Sequence, residues 1–191
     1  MRKRSVAVTM ALLGLALSAS ARGAEKLAAT SAQADRPQTK TSPAPELKQM
    51  DWFVATWKCT GKTFASPMEK EHATESTLTI RSDLDGFWQS FTVDEAKTDE
   101  NPAPVKVAGY GGYDSALKKF VRVGFNTRGR WSTWTSAGWK GDNLIFDGES
   151  GAKDVLLRQT ITRKADNEFT SIVETKAAGK WVKAAEVSCK K

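Results

Sequence analysis

The chain has 191 residues, 40% hydrophobic and 27% charged, with 29 Lys and Arg against 22 Asp and Glu for a net charge of +7. A charge of this size aids solubility and slightly favours anionic surfaces, but does not by itself imply nucleic acid. Two Cys and one His leave few ligands for a metal centre, and no metal is expected.

The first element is a targeting segment. "MRKR" is followed by the apolar run "VAVTMALLGLAL" (6–17) and the small residues "SASA", the layout of a secretory signal peptide over 1–21 with Ala19 and Ala21 at the cut. At about 1.5 Å per residue the run spans only ~18 Å, short of a ~30 Å bilayer core, so no transmembrane segment is expected. Removing Arg2, Lys3 and Arg4 lowers the charge from +7 to +4. No cysteine follows the cut, so a lipid anchor is not expected, and the location implied is periplasmic or secreted. Residues 22–46 contain no aromatic and one Leu, too little apolar surface to offset ordering entropy, and read as a flexible leader. Residues 47–191 then form one domain of ordinary size.

From Asp51 onward the hydrophobic period is two. "LKQM" (47–50) suggests a single helical turn, and strands are expected near 54–64, 70–82, 86–95, 104–113, 119–126, 130–137, 142–149, 154–163, 167–175 and 180–189. The breaks between them, such as "DLDG", "TRGR", "KGDN" and "AAGK", carry hairpin-loop chemistry. Short connections favour an all-β, up-and-down antiparallel order of about ten strands, closed into a barrel that removes the exposed edges. A two-sheet sandwich is the alternative. In such a barrel the first and last strands must meet, and they carry Cys59 and Cys189. A Cys59–Cys189 disulfide follows, in keeping with an oxidising compartment; the rival readings are two free buried thiols or half of a metal site. Trp57, on the same face as Cys59, is expected to plug one end.

Five stretches, "LKQMDWFVATWKCTGKTF", "DLDGFWQSF", "GYGGYDSALKKFV", "STWTSAGWKGDNLIFDGE" and "ETKAAGKWVKAAEVSCKK", resemble a bacterial family of exported proteins catalogued as a domain of unknown function. The resemblance covers nearly all of 46–191 and implies a lipocalin-like (calycin) barrel without an agreed activity. Ala55 stands where that family's first-strand motif usually has Gly. A more distant similarity is to nitrobindins, ten-stranded barrels that hold haem through a histidine near the chain's end. Residues 180–191 contain no histidine, and no cofactor is expected.

No catalytic constellation is present, and no catalytic residue is assigned. "SALK" (115–118) matches Ser-x-x-Lys but lies in a turn and lacks its companion motifs. His72, beside Glu69, Glu71 and Glu75, reads as a solvated strand-end residue. In "GYGGY" (109–113) the glycines read as points where a barrel strand bends. Closed barrels of this size often hold one small ligand, and the expected lining is Trp57, Phe87, Phe91, Val121, Val123, Phe125 and Trp134. Alternation in "VRVGF" points Val121, Val123 and Phe125 inward and Arg122 to solvent. Only one of Trp131 and Trp134 can face inward, three residues being an odd offset. Residues 118–140 contain no acid; a basic surface patch is expected from Lys118, Lys119, Arg128, Arg130 and Lys140, with aromatics interleaved. The expected function is non-enzymatic binding of a small hydrophobic or amphipathic ligand in the interior. The alternative is a filled barrel binding an envelope protein or an anionic polymer through the basic aromatic surface, with nucleic acid not expected.

Overall fold

The computed structural model describes residues 42–66, 69–151, 155–177 and 179–191. The expected signal peptide and most of the leader lie outside them. The first described element is a 3-10 helix, Pro45–Phe53, which begins two residues ahead of the expected domain start. Pro45 opens it, where a missing N–H costs nothing. With three residues per turn, Leu47, Met50 and Phe53 stack on one face, and all three are buried.

Eleven strands follow among the described residues: β1 Ala55–Thr63, β2 His72–Asp83, β3 Trp88–Glu95, β4 Lys106–Asp114, β5 Lys119–Asn126, β6 Trp131–Ser136, β7 Trp139–Lys140, β8 Asn143–Ser150, β9 Leu156–Ala165, β10 Glu168–Ala177 and β11 Lys180–Lys190. Each of β1 to β6 pairs with its sequence neighbour, as does each of β8 to β11. Two further pairings close the ring. β1 meets β11 antiparallel, and β6 meets β8 from Ser132↔Ser150 to Thr135↔Asp147. The result is a closed ten-stranded antiparallel barrel, with the two-residue β7 lying outside the ring against the start of β8. The up-and-down order read from the short connections is the order observed, and the sandwich alternative is set aside because closure leaves no second sheet.

Cys59 sits directly opposite Cys189 in the β1–β11 register, and the two are joined by a disulfide across a sequence separation of 130. The bond lies next to the core that fills one end of the barrel. There Trp57 is wholly buried. Its indole Nε1–H donates to the Phe53 carbonyl at 2.9 Å, and its ring meets Phe169 at 4.8 Å and Trp52 at 5.1 Å between centroids. Leu47, Met50, Phe53, Phe120, Leu144, Phe146 and Ile161 complete this core. The 3-10 helix is thus a stopper, and Trp57 is the plug expected of it. The opposite end carries the β1–β2, β3–β4, β5–β6, β8–β9 and β10–β11 connections.

Candidate functional site

A single inner face can be followed round the ring because opposed residues in neighbouring strands share a face. Trp57 is opposite Leu78, Leu78 opposite Val93, Val93 opposite Val107, and Val107 opposite Asn126. Trp57 points inward, so Asn126 does too, and with it Gly124, Arg122 and Phe120 on β5. This inner face encloses a cavity of about 460 Å³ whose lining includes Leu78, Phe91, Val93, Val107, Leu157 and Val173. The stopper residues Leu47, Met50 and Phe53 form its floor.

At mid-depth stands Arg122. Its guanidinium lies 4.5 Å from the Phe146 ring centroid, 5.1 Å from Trp134 and 5.8 Å from Phe91. One terminal nitrogen donates to the side-chain oxygen of Gln159 on β9, and the Gln159 amide nitrogen donates to the buried Ser171 hydroxyl at 2.8 Å. Burial pushes the guanidinium down to about 10, which leaves it charged at neutral pH. Among the described residues no carboxylate lies within ion-pair distance of it. The lumen is therefore a mostly apolar space with a buried positive charge at Arg122, which no carboxylate among the described residues pairs, while Arg130 lines it at the mouth.

Two residues shape the space around that charge. Along one cross-strand row run Gln89, Gly111, Arg122, Trp134 and Gly148. Gly148 accommodates the Trp134 ring, since a Cβ there would come within 2.6 Å of it. Gly111 has no such occupant: a Cβ would meet nothing closer than the Val121 carbonyl at 3.7 Å and Arg122 Cγ at 3.9 Å. A recess is left between Arg122 and the buried Gln89 side chain, whose amide makes no hydrogen bond among the described residues.

The expected lining is redistributed by this geometry. Phe91 and Trp134 line the lumen, as does a surface of Val121. Trp57 belongs to the stopper core. Phe87 ends the short 3-10 turn before β3 and is half-buried away from the cavity. On β5 the expected face is inverted: Arg122 is inside, while Val121, Val123 and Phe125 occupy the outer face. Phe125 is 54% exposed and touches the cavity only at its mouth. The apolar alternation of "VRVGF" misleads because Phe120, Gly124 and the ring's shared parity outweigh the charge of one residue. Trp131 is the outward one of its pair, 50% exposed.

The expected basic patch is not one surface. Lys118, Lys119 and Lys140 lie at the stoppered end, and Arg128 and Arg130 lie in the β5–β6 connection at the other. The eight-residue β5 separates them by about 23 Å at ~3.3 Å per residue. Arg128 is moreover held by both oxygens of Glu69 at 3.0 and 3.1 Å, which raises its already high pKa further. His72 faces inward near the mouth rather than being solvated. It is buried, with Nδ1 at 2.9 Å from the Lys70 carbonyl. The glycines of 109–113 mainly make room for rings: a Cβ on Gly109 would come within 2.6 Å of Phe91, and one on Gly112 within 2.6 Å of Trp88.

No cluster of His, Cys, Asp or Glu suited to a metal occurs among the described residues, and no helix there is long and apolar enough to cross a membrane. The barrel resembles the crystal structure of Rv2717c from M. tuberculosis with a TM-score of 0.63, covering 78% of this chain and 99% of that one at 15% identity. At that identity the likeness concerns the fold. No curated protein matches the sequence. The model described as "Protein of unknown function (DUF1579)" matches residues 42–191, the whole barrel and its stopper, and the chain belongs to that family.

Proposed function

We propose that the protein is an exported binding barrel that holds one small amphipathic ligand in its lumen without turning it over. The observation that carries this reading is the cavity of about 460 Å³, floored by Leu47, Met50 and Phe53 and lined mostly by apolar side chains. That volume lies within the ~300–1,000 Å³ typical of small-molecule sites. Export is supported by the disulfide, which persists in oxidising compartments, and by the three-part layout of residues 1–21.

Native mass spectrometry of protein purified from its own exported compartment, with the denatured mass in parallel, tests the reading. An added mass that leaves on denaturation identifies the ligand class. A bare native mass, together with failure of a panel of apolar and amphipathic compounds to bind, would reject it.

A further inference from the structure

We propose that the ligand is an amphipathic monoanion whose carboxylate sits in the recess between Arg122 and Gln89, with its apolar tail running toward the open end. The inference rests on the lumen being a ligand site and specifies what that site selects. Arg122 offers five N–H donors in a planar fork, and within the barrel one hydrogen bond, to Gln159, draws on them. A charge taken out of water is costly unless paired and hydrogen-bonded. The three aromatic faces and the Gln159 amide compensate it only in part, because neither carries a formal negative charge. Glu95, on the inward face of β3 toward the mouth, is already engaged by the Val105 N–H at 2.8 Å and the Asn101 amide at 3.3 Å.

The recess has the chemistry of a carboxylate receptor. One guanidinium charge matches one monoanion, and its fork presents paired donors to a planar carboxylate. Gln89 adds an amide on the far side of Gly111, in the same cross-strand row. Gly111 supplies the room, because it places no side chain between them. The tail's direction follows from packing. Below Arg122 the cavity is walled by the buried Phe120, Phe146 and Leu144 and closes on the stopper residues Leu47, Met50 and Phe53. Above it, Val93, Val107, Leu157 and Val173 line open space. From Arg122 to Asn126 at the rim is about 13 Å of strand at ~3.3 Å per residue, so a medium-length alkyl chain suits the site.

Isothermal titration calorimetry of the oxidised full chain with dodecanoate, dodecanol and dodecyltrimethylammonium decides the matter. Dodecanoate is expected to bind at least about tenfold more tightly than dodecanol, and the cation weakest. Arg122→Met should remove the preference for the acid over the alcohol, and Gln89→Leu should reduce that preference by a smaller factor. Equal binding of acid and alcohol to the wild-type chain would overturn the carboxylate assignment and leave the binding barrel standing. Binding of none of the three, with no other amphiphile bound, would overturn both. The wild-type comparison needs no variant, so a poorly folding Arg122→Met chain would not shield the idea.

Discussion

Arg122 on β5 and Gln159 on β9 are hydrogen-bonded through the lumen, although their strands are three places apart round the ring. Gln159 passes the link to Ser171 on β10. A polar thread therefore crosses a mostly apolar interior, and among the described residues no acid pairs its charged end.

Such a charge is held at a cost to stability, so Arg122→Met should leave the fold intact and its stability unchanged or raised, by up to about 3 kcal/mol. Urea denaturation with coincident fluorescence and circular-dichroism transitions measures it. A loss beyond about 2 kcal/mol would mean that the thread to Ser171 is a structural tie instead.

The Cys59–Cys189 bond closes a loop spanning 130 residues between the first and last strands. Its removal in a Cys59→Ser, Cys189→Ser double variant should lower stability by roughly 2–5 kcal/mol. The same drop should follow reduction of the wild-type chain. Denaturation midpoints with and without reductant check both, and a shift worth under about 1 kcal/mol would show that strand pairing alone keeps the seam shut.

Trp57 has no exposed surface and its indole N–H is satisfied by Phe53. Trp57→Ala should destabilise the chain by about 3–5 kcal/mol through the cavity it leaves. Trp57→Phe should cost less, since an aromatic ring still meets Phe169. If both were tolerated within about 1 kcal/mol, the stopper would not be the rigid floor of the lumen that its packing indicates.

Gly111 is a place in the lumen where a Cβ can be added at ordinary contact distance, its nearest prospective contacts being at 3.7 and 3.9 Å. Gly111→Val should fold with stability within about 1 kcal/mol of wild type yet bind dodecanoate at least about tenfold more weakly, because the new side chain fills the recess. Gly109→Ala is the contrasting control. Its Cβ would strike the Val123 carbonyl at 2.1 Å and the Phe91 ring at 2.6 Å, and it should destabilise by about 1–3 kcal/mol. Thermal melts and calorimetry of the two variants separate loss of space from loss of fold. A Gly111→Val chain that bound normally would place the ligand elsewhere.

Strand number, order and closure were legible in the chain itself, because period-two alternation and turn residues are local signals. Cys59 and Cys189 could be paired for the same reason: an up-and-down barrel forces its first and last strands together whatever the details of its registers. Phe91 and Trp134 were also readable as lining. What the sequence could not decide was which side of β5 faces inward. "VRVGF" alternates equally well either way, and a local rule that sends charge to solvent chose the wrong face. The choice is made round the whole ring, where the buried Trp57 fixes Leu78, Val93, Val107 and Asn126 in turn. A one-residue slip at any pairing would reverse it. Likewise only the three-dimensional path of β5 separates Arg128 and Arg130 from Lys118, Lys119 and Lys140, because nearness in sequence becomes distance along an extended strand. Local alternation determines that a strand exists; closure of the ring determines that Arg122 stands inside it.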